Sequence, residues 1–470
     1  MLKPNHKIVK MPGILENRTM FERNIYIARR KQLRKKVGSG LILMLGNNDS
    51  PMNYFGNTYR FRQDSTFLYF IGIDLPGLAA VLDVDEDSET LFGNDLTLED
   101  IVWAGPQPTL KNTAQKAGIK KQLPLAQLDN VIKKALLQGR KIHYLPPYRA
   151  DKALWIETLL GIRTSSVKHY ASRELIQAVI AQRSIKTTNE IIEIESALRI
   201  SALMYAEAMK MAQHGVRENE ISGRMEGIAI EAGGRLSFPS IVTMHGETLH
   251  SFPTSNRLKK GALLLIDTGV ESPLHYSSDI TRTIPVGGKF SSRQKDIYET
   301  VLQMQLTAIA SIKPGISYLK IHLLAAKTAA ENLKTIGLMK GNMEEAITAG
   351  AHALFFPHAI SHMLGLDVHD MEDLIERFIG PHAQTERSIL PGIARKHKEK
   401  QLQPGFVLTV EPGIYFIPAL IYQWKKEKKC TNFLNYNKIE EYINFGGIRI
   451  EDDILVTRTG CRVLGVPIPK

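Results

Sequence analysis

The sequence contains only two cysteines and no long apolar run. Cys430 and Cys461 form neither a CxxC pair nor a disulfide framework, although one disulfide between them is compatible with the sequence. No apolar run approaches the ~18 residues of a membrane span, and residues 1–20 lack the apolar core of a secretory signal. These absences predict a protein of a reducing, cytoplasmic setting with no membrane partner.

The charge balance is basic. Lysine and arginine number 60 against 48 acidic residues, a formal net charge of +12, and part of it lies in runs at 29–31, 34–36 and 425–429. Nucleic-acid binding is one interpretation of such runs. Because no nucleic-acid motif accompanies them, we interpret them as a solvated helix face and a basic loop, and expect no nucleic-acid partner.

The chain is long enough for two or three domains. In its first part, helices are predicted at 21–36, 125–137 and 152–160, and strands at 40–45, 67–72, 78–83 and 142–145. Strands that alternate with helices are typical of an α/β domain with a mainly parallel sheet, which we assign to residues 1–180. We find no catalytic constellation in this domain.

The second part begins with a capping box, Thr187 with Glu190, that opens a helix to Met211. Further helices are predicted at 218–231, 291–313 and 317–336, and strands at 241–244, 262–266, 276–285, 406–410 and 447–456. The order helix, helix, strands occurs twice, which hints at two similar halves. We assign residues 181–470 to this second domain.

Three histidines lie close together in the histidine-rich stretch, His358–Asp370. They are His358, His362 and His369. Histidine is the commonest metal ligand and the side chain that most readily moves protons near neutral pH. Taken alone, the three could also be loop or core histidines with ordinary hydrogen bonds.

Four carboxylates stand at or near the ends of predicted strands: Asp267, Asp279, Glu411 and Glu451. One such residue is usually a helix cap or a turn residue. Four of them with His362 in one domain instead predict a negatively charged pocket for two divalent cations. The donor set suits Mn²⁺, with Co²⁺, Zn²⁺ or Fe²⁺ as alternatives, better than Mg²⁺, which keeps its waters.

These residues and their neighbours resemble the pita-bread metallopeptidases. The phrases that carry the resemblance are Leu-Ile-Asp-Thr-Gly, Ser-Asp-Ile-Thr-Arg-Thr, the histidine-rich stretch, Thr-Val-Glu-Pro-Gly-Ile-Tyr and Gly-Ile-Arg-Ile-Glu-Asp-Asp. Within that group the chain is most similar to the Xaa-Pro aminopeptidases, and residues 62–72 resemble their non-catalytic N-terminal domain. The resemblance implies an α/β N-terminal domain and an α+β C-terminal pita-bread domain, whose curved antiparallel sheet is covered by helices.

The resemblance also implies roles for the five ligands. Asp267 would hold one metal, and His362 and Glu411 the other. Asp279 and Glu451 would bridge both metals, which together activate a bridging hydroxide. Glu411 would also serve as a general acid or base.

The resemblance implies four further functional residues: His250, His358, His369 and Arg449. His250, rather than the nearby His245, would stand at the mouth of the site. The other two histidines would orient substrate and stabilise the tetrahedral intermediate or the leaving proline nitrogen. Arg449 would pair with Glu451 or Asp267, and Tyr415 would hydrogen-bond in the same place. Asp367 and Asp370 would fix the stretch through local hydrogen bonds.

The function that follows is hydrolysis of the bond between the first residue of a peptide and a proline in second position. The alternatives are a prolidase, which cuts only Xaa-Pro dipeptides, and a catalytically inactive pita-bread binding protein. A homo-dimer or homo-tetramer, built partly through the N-terminal domain, is implied. Segments 371–403 and 417–445 look longer than usual and would form a rim, an oligomer contact or a surface elaboration.

Overall fold

The computed structural model describes residues 20–378 and 401–470. Its first part contains eight helices among those residues: α1 (Arg23–Val37), α2 (Ser65–Ile71), α3 (Leu98–Ala104), α4 (Leu110–Lys116), α5 (Gln127–Leu137), α6 (Ala150–Leu160), α7 (Thr164–Val167) and α8 (Arg173–Arg183). The strands are β1 (Leu41–Leu45), β2 (Pro51–Tyr54), β3 (Asn57–Thr58), β4 (Ala79–Asp83), β5 (Ser88–Gly93), β6 (Lys121–Pro124) and β7 (Ile142–His143).

The sheet of this part is mixed, so the prediction of a mainly parallel sheet is wrong. Its order is β6-β5-β4-β1-β7. The two outer pairs are parallel, whereas β1–β4 and β4–β5 are antiparallel. Strands β4 and β5 are joined by a short turn at 84–87, and such a connection permits only antiparallel pairing.

The predicted strand at 67–72 is a helix, α2. Asp64 caps it by accepting hydrogen bonds from the backbone N–H groups of Thr66 and Phe67. Gly72 ends it in the left-handed conformation (φ 77°), which a glycine adopts without strain. Every residue of α2 is buried, so its apolar run shows no helical periodicity from which the sequence could reveal it.

The first basic run is a solvated helix face only in part: its lysines are exposed, as predicted, but two of its arginines are buried, contrary to the prediction. Arg29 and Arg30 of α1 are 6% and 0% exposed. Arg29 lies 3.3 Å from Glu190, and Arg30 lies 2.8 Å from Glu89. Arginine can be buried when its fixed fork of donors is satisfied, as here by carboxylates and backbone carbonyls.

The second part has eight α-helices in the described ranges: α9 (Thr188–Met211), α10 (Glu218–Glu231), α11 (Ser292–Ser311), α12 (Tyr318–Thr335), α13 (Met343–Thr348), α14 (Glu372–Phe378), α15 (Pro418–Lys426) and α16 (Tyr436–Glu440). A 3₁₀ turn spans Ala351–Leu354. The strands are β8 (Arg235–Leu236), β9 (Ile241–Thr243), β10 (Leu263–Thr268), β11 (Val270–Glu271), β12 (Ile280–Pro285), β13 (Val407–Val410), β14 (Gly413–Tyr415), β15 (Gly447–Arg449), β16 (Asp452–Val456) and β17 (Cys461–Val463).

Small antiparallel sheets lie side by side and carry the site. Their orders are β12-β10-β9 and β13-β16-β17, with β14 paired to β15. A bridge between Thr281 and Glu451 joins the first two sheets. Helices α9 and α10 share a core with β9 and β10, and α11 and α12 share one with β13, β15 and β16. This is the pita-bread arrangement, although the single strand predicted at 447–456 is two strands, interrupted at Ile450–Glu451.

The long segment 417–445 packs against the outside of the second domain. Trp424 is 4% exposed, and the carbonyl of Phe433 accepts a hydrogen bond from the Lys340 amide. These contacts favour a surface elaboration over a rim for segment 417–445. The prediction for segment 371–403 falls largely outside the described residues. Cys430 and Cys461 are both free thiols. In the ranges described, no helix is long and apolar enough to cross a bilayer.

Candidate metal centre and substrate cleft

The five predicted ligands line one cavity, although they come from distant parts of the chain. Asp267 lies in β10, and Asp279 directly precedes the neighbouring strand β12. Glu411 directly follows β13, and Glu451 lies between β15 and β16. His362 belongs to the histidine-rich stretch, whose backbone bonds the end of β13.

The side chains of four of these residues approach closely. His362 Nε2 lies 3.4 Å from Asp279 Oδ2 and 3.4 Å from Glu411 Oε1. Ligand atoms of Asp279, His362 and Glu451 all lie within 4.8 Å of one another. The other ring nitrogen, Nδ1 of His362, lies 3.1 Å from the Met363 carbonyl. A proton on Nδ1 satisfies that contact and leaves the Nε2 lone pair facing the carboxylates.

The cluster concentrates negative charge in a buried place. Burial, followed by the neighbouring Asp267, raises the pKa of Asp279 well above its ordinary value. Burial, followed by Asp279, does the same to the pKa of Glu451. One oxygen of each of these three carboxylates is buried and finds no hydrogen-bond partner within residues 20–378 and 401–470. Buried carboxylates in this state are stabilised by a cation, so the residues present fit divalent metal ions.

A chain of hydrogen bonds leads away from the cluster. Arg449 Nη2 donates to Asp267 Oδ2 at 2.6 Å, and Nη1 donates to the Tyr415 hydroxyl at 2.8 Å. The partner of Arg449 is therefore Asp267, and Glu451 accepts instead from the hydroxyl of Thr281 at 2.7 Å. Tyr415 hydrogen-bonds in this place, as the sequence predicts.

His358 ends that chain. Its Nδ1 lies 2.8 Å from the Ala359 carbonyl and its Nε2 lies 2.8 Å from the Tyr415 hydroxyl. Because the carbonyl can only accept, the proton resides on Nδ1 and Tyr415 donates to Nε2. Burial lowers the pKa of His358, which keeps this tautomer neutral.

The other two predicted histidines lie at the open side of the cavity. The ring of His369 stacks on that of His362, with centroids 3.8 Å apart and planes 11° apart. His369 Nδ1 lies 2.5 Å from Glu372. His250 is exposed and lines the cavity beside Phe252.

The cavity has a volume of about 470 Å³ and combines the polar cluster with an apolar wall. A second cavity, about 930 Å³, adjoins it at the boundary with the N-terminal domain. Four residues line both: Phe238, Pro239, Phe252 and Val368. The second cavity also includes Arg60, Arg62 and Tyr148. The N-terminal domain thus borders the cleft.

Two threonines and one aspartate, none of them predicted as a site residue, also bond to the cluster. Thr281 bonds Glu451 and accepts from Arg449 Nε, and Thr409 donates to Glu411 at 3.2 Å. The carboxylate of Asp453 accepts from the backbone N–H of Asp279. Each threonine lies two positions from a ligand, and because strand side chains alternate, that spacing could have identified both.

Comparisons with known proteins agree with this geometry. The sequence pattern of metallopeptidase family M24 matches residues 193–458, and that of the aminopeptidase P N-terminal domain matches residues 26–144. A probable Xaa-Pro aminopeptidase of Aspergillus niger is 30% identical over 441 residues, covering 92% of this chain and 87% of the relative. A human Xaa-Pro dipeptidase is 30% identical over 458 residues, covering 92% and 88%. A variant of Escherichia coli aminopeptidase P superposes with a TM-score of 0.79 at 27% identity, covering 96% of both chains.

Proposed function

The chain belongs to metallopeptidase family M24, and from that membership we propose that it is an Xaa-Pro aminopeptidase. It releases the first residue of a peptide whose second residue is proline. The observation that carries this proposal is the buried cluster of carboxylates and His362 at the base of a cleft that continues beyond it. The relatives named above act, by their names, on Xaa-Pro bonds.

The cluster would hold two divalent metal ions. Asp267 would hold one ion, His362 and Glu411 the other, and Asp279 and Glu451 both. Mn²⁺ fits this donor set of four carboxylates and one imidazole best, because hard oxygen ligands predominate and one nitrogen is included. When bound, such ions lower the pKa of water and polarise a carbonyl oxygen.

The protein residues orient the peptide and move protons. Glu411, which is 18% exposed and lies beside His362, is the group that exchanges a proton with the attacking water and the leaving nitrogen. Tyr415 holds His358 and Arg449 in one hydrogen-bonded chain, so that both present fixed faces to the cleft. His369 and His250, which line the open side of the cavity, would contact the peptide backbone near proline.

The adjoining cavity favours peptides longer than two residues. A dipeptide bound at the metal cluster would leave the second cavity empty. The residues after proline would lie in the second cavity, across Phe252. Arg60 lines that cavity and donates a hydrogen bond to the Gly234 carbonyl, and its charge would attract the peptide's terminal carboxylate.

The second candidate is a prolidase, because the human dipeptidase matches this chain at the same identity as the fungal aminopeptidase. Full-length protein loaded with Mn²⁺ should be assayed with an Xaa-Pro dipeptide, an Xaa-Pro-Xaa tripeptide and an Xaa-Ala-Xaa control. We expect the tripeptide with proline to be cleaved fastest. Activity confined to the dipeptide would identify a prolidase. A protein that binds no metal and cleaves neither would be an inactive binding protein.

A further inference from the structure

The two stacked histidines are joined by a loop, residues 363–368. The backbone N–H of Asp370 donates to the carbonyl of Met363 at 2.8 Å and closes this loop. His369 therefore stacks on His362 only if the loop keeps its shape. The contacts that hold the loop determine where the His369 ring stands in the cleft.

The end of the loop nearest Asp370 is held by buried cations. Arg183 Nη2 lies 2.6 Å and Lys186 Nζ 2.9 Å from the two carboxylate oxygens of Asp370. All three side chains are 4% exposed or less. Arg183 is the last residue of α8, and Lys186 lies three positions after it. Breaking a buried pair leaves an uncompensated charge, so this end is firmly fixed.

The other end is held by the N-terminal domain. Ser65 Oγ donates to Asp367 Oδ1 at 2.5 Å. Arg62 Nη2 donates to the Leu366 carbonyl at 2.6 Å and lies 3.3 Å from the same Asp367 oxygen. Arg62 is itself directed by Glu271, 2.8 Å from its Nε. The local hydrogen bond expected between Asp367 and Asp370 exists, because the backbone N–H of Asp367 donates to Asp370 Oδ1 at 3.4 Å. The carboxylate of Asp367 has partners far away in the sequence: Ser65 and Arg62 at one oxygen, and Arg183, 3.0 Å away, at the other.

We propose that Arg62 and Ser65 are positioning residues for catalysis, which act by fixing residues 366–367 and thereby the place of His369 on His362. The inference rests on the proposed function, because its kinetic readout is cleavage of an Xaa-Pro bond. It gives the N-terminal domain, which the resemblance describes as non-catalytic, a direct part in arranging the site. A displacement of about 1 Å caused by a remote change can lower a rate about a hundredfold.

The test compares Arg62→Ala and Ser65→Ala with a matched control, Arg140→Ala. Arg140 is 20% exposed against 25% for Arg62, and it bonds two carboxylates, Asp83 and Asp85, within the N-terminal domain. The full chain loaded with Mn²⁺ is assayed with an Xaa-Pro-Xaa tripeptide. We expect Arg62→Ala to lower kcat about 10- to 100-fold with little change in KM, Ser65→Ala to have a smaller effect, and the control to match wild type.

A second measurement is independent of activity. Hydrogen–deuterium exchange, read by mass spectrometry, should show faster exchange of the backbone amides at 363–371 in Arg62→Ala, but not in Arg140→Ala. Arg62→Lys keeps the positive charge but loses the paired N–H donors of the guanidinium group. Its kcat should therefore lie between those of Arg62→Ala and the wild type. If Arg62→Ala does not fold, Arg62→Lys and Ser65→Ala provide the same comparison.

Unchanged exchange at 363–371 in the Arg62 and Ser65 variants would overturn the proposal. So would a loss of kcat that Arg140→Ala reproduces. A wild-type protein that cleaves no Xaa-Pro bond would refute the proposed function, and the exchange measurement would still decide whether Arg62 and Ser65 hold the loop.

Discussion

At the scale of single residues, the cluster joins charges that would repel each other if no cation were bound. Three of its carboxylate oxygens, on Asp267, Asp279 and Glu451, are buried and have no hydrogen-bond partner among the described residues. The sequence could predict which residues line the site, because each predicted ligand lies in a distinctive short motif. It could not predict that Arg449 bonds Asp267 and not Glu451, or that Tyr415 bonds Nε2 of His358. Those contacts depend on the register between strands that are far apart in the sequence.

Asp279→Asn should have opposite effects on activity and on the stability of the metal-free protein. The variant should lose more than about a hundredfold in kcat/KM, because a ligand oxygen is replaced by an amide. It should also raise the melting temperature of the metal-free protein, because one of several crowded like charges is removed. Activity assays and thermal unfolding with and without Mn²⁺ measure both effects. Asp296→Asn, at an exposed carboxylate on α11, is the control, and near-normal turnover in Asp279→Asn would contradict the ligand assignment.

At the scale of elements, most helices and strands can be predicted, and the exceptions have a common cause. The capping box at Thr187 and the period of α10 mark helices that face solvent on one side. Helix α2 is buried all round, so its pattern resembles that of a buried strand. The mixed sheet has a similar explanation, because strand direction follows from connections whose geometry composition does not reveal.

The cap of α2 offers a test of how that buried helix is stabilised. Asp64→Ala removes both the cap and the partner of Lys152, whose Nζ lies 2.8 Å from Asp64 and whose side chain is 8% exposed. We expect a loss of about 3–5 kcal/mol in the free energy of unfolding, typical of breaking a buried ion pair. Urea denaturation followed by circular dichroism measures it. Thr109→Ala, an exposed cap on α4, should cost only about 1 kcal/mol, and equal losses would contradict the special role of Asp64.

At the scale of the whole molecule, a charged network joins the two domains. His275 Nε2 lies 2.9 Å from Asp74 of the N-terminal domain, and Nδ1 lies 2.6 Å from Glu271. Burial opposes protonation, but the hydrogen bonds to both carboxylates outweigh it and raise the pKa of His275 above its ordinary 6.5. Burial also opposes ionisation of Glu271, yet its bonds to His275 and the nearby arginines lower its pKa to about 2.

These opposite shifts predict a stability that declines as pH rises. A raised pKa means that the contribution of His275 is complete below pH 6.5 and is lost as pH rises through the folded-state pKa. The carboxylate contributions, with lowered pKa values, are lost only in acid. The free energy of unfolding should therefore fall, by at most about 1.4 kcal/mol per pH unit, above pH 6.5. Urea denaturation at several pH values measures this. The free energy of unfolding of His275→Asn should depend less on pH than that of the wild type, and equal dependence in the two proteins would contradict the assignment.

An exposed apolar surface on α3 favours association of the chain with itself. Leu98, Val102 and Trp103 are 79%, 74% and 84% exposed, and no residue of α3 is buried. Exposed apolar patches of this kind usually mark a contact surface. We expect the wild-type protein to be an oligomer at micromolar concentration. The double variant Val102→Lys/Trp103→Ser should be a monomer. Light scattering after gel filtration measures the mass. Leu137→Lys, at an exposed leucine at the end of α5, should leave the mass unchanged, and a wild-type monomer would contradict the expectation.

The bond between Thr281 and Glu451 spans 170 positions of the chain. During synthesis, at about 5–20 residues per second, roughly 10 to 30 seconds separate these two residues at the ribosome. Asp267 and Asp279 are made before that interval begins, whereas His362, Glu411 and Glu451 are made in the course of it. A nascent chain thus carries two of the five predicted ligands well before the others, and we expect metal to bind only when synthesis is nearly complete.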